Sequence, residues 1–195
     1  MGDSLQLTLP PAAAEMVKDH YSRSKIILEY GSGGSTALAL ETGAEFVMSV
    51  ETDKAWARSM QDTLSADYDP ARFEIFHVDI GKTRKWGRPV GTDAYRSYYR
   101  VATDVWDQSW FRQPDVVLVD GRLRTGCFFT TMLRTQKPVT VLFDDYFNRP
   151  AYKVVERYFS PVDAAGRMAQ FEVLPQTLDP NHLSELLSEF TAINK

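Results

Sequence analysis

The stretch Ile26-Ile27-Leu28-Glu29-Tyr30-Gly31-Ser32-Gly33-Gly34-Ser35-Thr36 decides how this chain is read. It runs from a short apolar strand through a carboxylate into a glycine-rich turn, then into the first turn of a helix. Glycine belongs where a backbone turns tightly and a flat ligand approaches with no Cβ in the way. About twenty residues on, a second apolar run beginning at Phe46 ends in Glu51, where a nucleotide-binding half-sheet places an acid for ribose hydroxyls. Together the two features predict an adenosine-type ligand.

Working outward, Pro10-Pro11 opens a helix that reaches about Tyr21, with proline tolerated in its first turn. The glycine turn leads into a helix over 33–41 that Gly43 stops. Asp53 caps a helix through about Ala66, ended by Pro70. Three more strands are expected at 73–79, 115–120 and 139–144, with a helix over 125–136 between the last two. Apolar, β-branched strands alternating with helices predict a doubly wound, mostly parallel α/β sheet. A helix over 150–159 and a closing antiparallel hairpin over 162–173, turning at Ala165-Gly166, follow. Asp179-Pro180 then caps a last helix, predicted to carry Leu183, Leu186, Leu187 and Phe190 on one face.

The 195 residues, 44% hydrophobic, suit a single domain with a full core. The segment at about 80–114 is too long for a simple crossover. It carries Trp86, Tyr95, Tyr98, Tyr99, Trp106, Trp110 and Phe111, and reads as a lid-like insertion with a small core of its own. Six basic residues and one acid between Gly81 and Arg100 give that stretch a net charge of +5 and leave −9 for the rest. A globally acidic protein is a poor generic nucleic-acid binder, while a local basic patch attracts an anionic substrate. No apolar run approaches the ~20 residues that span a bilayer. The N-terminal stretch, with Asp3 early, lacks the layout of a secretory signal. A cytoplasmic chain with no membrane partner is expected, and homo-oligomerisation is left open. Cys127 is the only cysteine, so internal disulfides and CxxC sites are excluded.

The five predicted strands each end in a carboxylate: Glu29, Glu51, Asp79, Asp120 and Asp144. In a parallel sheet these share the carboxyl edge, where ligands bind. Glu51 and Asp79 suit the ribose and adenine ends of the ligand. Asp120, Asp144 and Asp145 together repel one another, which raises one pKa or recruits a cation. The cluster therefore predicts a general base near neutral pH at Asp120 or Asp144, or a divalent cation such as Mg²⁺ held by Asp120, Asp144 and Asp145. His20, His77 and His182 have no zinc-site spacing. Neither a nucleophile elbow nor a phosphate loop is present.

The motifs resemble those of the class I S-adenosylmethionine-dependent methyltransferases. Glu29 to Ser35 looks like their first motif, Val50-Glu51-Thr52-Asp53 their second and Val78-Asp79-Ile80 their third. Val117 to Gly121 and Val141 to Tyr146 look like the fourth and fifth, nearest to a subgroup acting on small molecules and sugars. The resemblance implies a Rossmann-like sheet, methyl transfer to an oxygen or nitrogen of a small acceptor, and a cofactor held by Glu29, Gly31, Ser32, Gly33, Ser35, Thr36, Glu51, Thr52, Asp79, Ile80 and Asp120. The residues agree with it. Thr36 fills the slot where a dinucleotide fingerprint asks for a small third residue, and Glu29 beside a pyrophosphate would be repelled but suits a methionine ammonium. Metal-dependent sugar methyltransferases read Asp-Gly-Asp in the fourth motif, where this chain has Asp120-Gly121-Arg122. An arginine pair there, Arg122 and Arg124, favours an anionic acceptor held in bidentate fashion. Trp86, Arg88 and Tyr146 complete the expected substrate contacts. A nicotinamide-dependent oxidoreductase and a non-catalytic cofactor-binding module are the alternatives.

Overall fold

Short β-branched runs between polar turns make the strands, and a computed structural model describes residues 5–193, which leaves Asp3 outside. The strands are β1 (Ile26–Tyr30), β2 (Phe46–Glu51), β3 (Phe73–His77), β4 (Val116–Val119), β5 (Val139–Phe143), β6 (Asp163–Ala165) and β7 (Met168–Val173). They form one sheet in the order β3-β2-β1-β4-β5-β7-β6. The first five are parallel, and β7 runs antiparallel to both β5 and β6. This is the expected doubly wound sheet with its closing hairpin.

Alternation along the strands divides the core in two. Ile27, Val47, Leu118 and Leu142 face α1 (Pro11–Ser22), α2 (Gly34–Glu41) and α3 (Lys54–Asp67). Leu28, Tyr30, Val119 and Phe143 face α4 (Arg100–Thr103), α5 (Arg124–Arg134) and α6 (Leu183–Glu189). Asp53 caps α3 as predicted, accepting from the Ala55 and Trp56 amides. No helix among the described residues is long and apolar enough to cross a membrane.

The insertion is less lid-like than its aromatic content suggests. Tyr98, Val101, Ala102, Val105 and Trp106 are buried and belong to the second core. Trp106 Nε1 donates to the Tyr30 hydroxyl at 2.7 Å, and that hydroxyl donates to the Ala102 carbonyl at 2.9 Å. The more exposed part holds a two-residue ribbon, Thr83–Arg84 against Arg88–Pro89, and the stretch after it, in which Val90, Tyr95 and Tyr99 are exposed.

Two helix predictions are revised. Residues 150–157 form 3₁₀ turns instead of an α-helix. In α6 the predicted apolar face is turned: Leu186 is buried, but Leu183 and Leu187 are 45% and 59% exposed. A 3₁₀ turn at Pro180–His182 precedes α6, and its inner face uses Glu189, which accepts from the buried Thr125 hydroxyl at 2.6 Å.

Glu29 points into the first core. Tyr21 donates to its Oε1 at 2.7 Å and Thr36 to its Oε2 at 2.5 Å, tying α1 and α2 to β1. Burial pushes this carboxyl above its usual range, and the hydroxyls of Thr36, Tyr21, Ser35 and Ser49 hold it back without cancelling the shift. In Glu29→Gln the amide NH₂ would face one of the two donor hydroxyls and leave it unsatisfied. The variant is expected to lose about 1–3 kcal/mol in urea unfolding, and an unchanged midpoint would contradict this role.

Candidate active site

The carboxyl edge of the sheet is built by two loops that touch. Gly31 sits in the left-handed region (φ 108) and donates to the Val50 carbonyl at 2.9 Å. A Cβ on Gly121 would come within 2.7 Å of the Tyr30 carbonyl oxygen and 3.0 Å of the Gly31 nitrogen. Only glycine lets the turn after β1 and the loop after β4 run backbone against backbone. Thr36 accepts from the Gly33 amide at 3.1 Å while donating to Glu29, so it fixes the turn from below.

Glu51 closes the end of β2. Its Oε1 accepts from the Thr52 and Asp53 amides at 2.7 and 2.9 Å, and its Oε2 from the Ser32 hydroxyl at 3.0 Å. The Thr52 hydroxyl donates to the Gly87 carbonyl at 3.1 Å, which fastens the exposed ribbon to the end of β2. Beside it lies a cleft of about 380 Å³ lined by Thr52, Asp53, His77, Asp79, Gly81 and Thr83. Asp79 accepts from the Gly81 amide at 2.8 Å. Ile80 is buried and lines a second hollow of about 230 Å³ under the ribbon. Trp86 is 65% exposed, with the Lys85 ammonium 5.3 Å from its ring, and Arg88 is exposed beside it.

At the ends of β4 and β5 the three expected acids meet arginines. Arg124, the first residue of α5 and buried, donates to Asp120 Oδ1 at 3.0 Å, the Gly121 carbonyl at 3.1 Å and the Asp144 carbonyl at 2.6 Å. Its Nη1 also lies 3.6 Å from carboxylate oxygens of both Asp144 and Asp145. Arg167 grips Asp144 with two hydrogen bonds of 2.8 Å and lies 3.2 Å from Asp145. Burial drives the Asp120 carboxyl up to about 7. Arg124 opposes that rise, and the charge and hydrogen bond of Asp144 add to it. Asp144 is held low although burial acts the other way, because Arg167, Asp120 and Arg124 favour its anion.

This geometry separates the predicted residues. Asp120, its side chain 31% exposed, is the most open of the three carboxyls. Asp144 is fully buried and held at both oxygens by Arg167, so it does not serve as a base. Arg124 is engaged by the acids and does not face a substrate. Tyr146 is fully buried, donating to Glu156 at 2.8 Å and packed on Phe143 and Phe171, so it makes no substrate contact. Glu29 is enclosed by hydroxyls and does not reach a ligand ammonium. The cation expected at Asp120, Asp144 and Asp145 does not fit, because guanidinium groups already lie on those carboxylates. Among the described residues, no group of three or more His, Cys, Asp or Glu is placed to hold a metal ion.

Sequence reasoning missed Arg167. The signal was the hairpin itself: with Phe143 opposite Ala169, the residue after Gly166 comes alongside the acids at the end of β5.

No protein-family model and no curated protein matches the chain. Among solved structures, a methyltransferase-like protein from Silicibacter pomeroyi is 44% identical over 95% of this chain and 97% of that one, with a TM-score of 0.89. An O-methyltransferase from Streptomyces achromogenes in complex with S-adenosylmethionine is 13% identical over 88% and 82%, TM-score 0.52. One from Bacillus cereus in complex with S-adenosylhomocysteine is 11% identical over 87% and 81%, TM-score 0.53. The latter two share the fold.

Removing Arg124 strips the shared cation from three carboxylates. Arg124→Met is expected to cost about 3–5 kcal/mol in chemical unfolding. The loss should be smaller at pH 5.5, where Asp120 is protonated, than at pH 8, where it is charged. A loss that does not depend on pH would assign Arg124 to packing alone.

Proposed function

Since the chain belongs to the class I S-adenosylmethionine-dependent methyltransferase family, we propose that it transfers a methyl group from S-adenosylmethionine to an oxygen or nitrogen of a small, anionic acceptor. The observation that carries this reading is the contact between Gly121 and the Tyr30–Gly31 turn. It sets Asp120, the acid with a neutral-range pKa, directly beside the glycine turn.

The residues present fit the cofactor. Glu51 already accepts a hydroxyl hydrogen bond from Ser32, the bond a ribose hydroxyl would make. Thr52 and Asp79 line the adjoining cleft, which suits the adenine end. Gly31, Ser32, Gly33 and Ser35 border the methionine end, and Thr36 acts there through its bond to the Gly33 amide. When bound, S-adenosylmethionine supplies an electrophilic methyl group on a sulfonium. The protein's part is to hold the acceptor lone pair in line with that methyl. Asp120 accepts the proton that the acceptor atom gives up, and Arg124 limits how far its pKa rises, keeping it titratable near neutrality. Asp144 stays ionised against Arg167 and keeps Asp120 from ionising at lower pH. No step runs through a metal. A dinucleotide reading has nothing to favour it, because Thr36 bonds inward at the position where a pyrophosphate site needs a small residue.

Calorimetric titration with S-adenosylhomocysteine is expected to show binding, weakened about tenfold or more in Glu51→Gln, as for a lost hydrogen bond to a charged group. No heat with either S-adenosylhomocysteine or S-adenosylmethionine would sink the cofactor assignment. Binding without turnover would leave a non-catalytic module.

The Asp120 carboxyl must be ionised to accept a proton, and its pKa stands near 7. The rate of S-adenosylhomocysteine release with small hydroxy- or amino-substituted carboxylates and phosphates as acceptors should therefore climb as pH rises through about 7. Asp120→Asn should lower kcat by about 10² or more and flatten that rise. A pH profile unaltered by the substitution would remove Asp120 from the chemistry.

A further inference from the structure

Arg122 and Arg124 stand two residues apart and have opposite surroundings. Arg124 is held by carboxylates, whereas Arg122 makes no ion pair among the described residues, and its Nε is buried with no hydrogen-bond partner there. It is the one buried side-chain nitrogen or oxygen among the described residues left in that state. Burial and the positive charges of Arg124, Arg88 and Arg149 all act against its own charge, and this shows as a lowered pKa. The acids nearby are committed, since Arg124, Arg149 and Arg167 already share Asp120, Asp144 and Asp145. Even there Arg149 is held loosely, at 3.8 Å from Asp145.

A half-buried cation without a counter-ion is costly, and the local backbone is shaped to hold it. Leu123 takes the left-handed region (φ 56), an uncommon conformation for a bulky residue, and is itself buried against Gly126. That kink fixes where the loop leaves Gly121, between Asp120 and the start of α5. The positive end of α5 lies immediately beyond, which adds to the attraction for negative charge.

We propose that Arg122, flanked by Arg88 of the ribbon and Arg149 of the loop after β5, is the anchor for a carboxylate or phosphate group of the methyl acceptor. The planar guanidinium offers paired donors that match either oxyanion, and the ligand supplies the counter-charge the fold withholds. Three chain segments converge on the anion. The ribbon is fastened to Thr52 beside Glu51, which ties the segment carrying Arg88 to the proposed ribose acid. The word "acceptor" rests on the methyltransferase reading, but the anion site does not.

The test is calorimetry on the full chain without cofactor, titrating inorganic phosphate and malonate in separate experiments. At least one is expected to bind. Affinity should fall tenfold or more in Arg122→Gln and stay within twofold in Arg96→Gln, an exposed arginine of the same insertion that rests on Tyr95. Binding of phosphate alone assigns a phosphorylated acceptor, malonate alone a carboxylate, and both the shared chemistry. Thermal unfolding of Arg122→Gln should occur at or above the wild-type temperature, since an unpaired desolvated charge has been removed. Equal anion affinity in wild type and Arg122→Gln, no binding of either anion to wild type, or a clear fall in the melting temperature of Arg122→Gln would each overturn the proposal. Loss of S-adenosylhomocysteine binding would instead strike at the cofactor assignment and leave this one standing.

Discussion

One guanidinium governs the working edge of this protein. Arg124 is the first residue of α5, where a cation faces the positive end of the helix and is disfavoured. It is stable there because helical side chains lean toward the N-terminus, which lays the guanidinium over the ends of β4 and β5. Three carboxylates and three carbonyls then receive it. Without it, Asp120, Asp144 and Asp145 would press like charges together beside a loop already crowded against the glycine turn. The clamp is therefore a condition for putting a titratable acid at that spot at all.

Arg167 divides the labour between the acids. By gripping Asp144 with two short hydrogen bonds, it fixes the charge of the pair on the buried member. Asp120 must then ionise next to an existing anion, in a partly desolvated place, where the charges of Arg124 and Arg167 do not offset its burial. Two neighbouring carboxyls of the same kind are thereby driven in opposite directions, the usual route to a base near neutral pH. The arrangement also accounts for the poor fit of a divalent cation, since its electrostatic work is already done by two arginines.

The sheet was legible in the sequence because burial on both faces leaves continuous apolar runs, and the ends of those runs fall within two residues of the observed strands. The glycine turn, Glu51 and Asp79 were legible for the same local reason: each is tied to a strand end. What was hidden depends on distance along the chain. Glu29 looks like a ligand acid in sequence, but its side chain alternates onto the α1–α2 face, where Tyr21 and Thr36 claim it. Tyr146 resembles a motif residue, yet it sits beneath the loop among Phe143 and Phe171. Arg167 acts across a hairpin register that composition does not reveal. In α6, the preceding 3₁₀ turn is part of a path that turns the leucine stripe outward.

The contrast between Arg122 and Arg124 carries the electrostatic argument to its end. The sequence alone pairs them as equivalent basic residues after Asp120-Gly121. In the fold, one step of backbone handedness at Leu123 separates them: Arg124 enters the helix and turns back onto the acids, while Arg122 stays in the loop. The chain is acidic overall, with a net charge of −4, so the gathering of positive charge around Arg122 arises from how these arginines are distributed and not from composition. Paired arginines make the acid cluster tolerable, and the unpaired one leaves a local charge that nothing among the described residues balances. A fold built for stability alone would gain from replacing Arg122 with an apolar residue, because nothing in the described structure compensates its burial. Its presence is best understood as binding capacity held at the expense of stability.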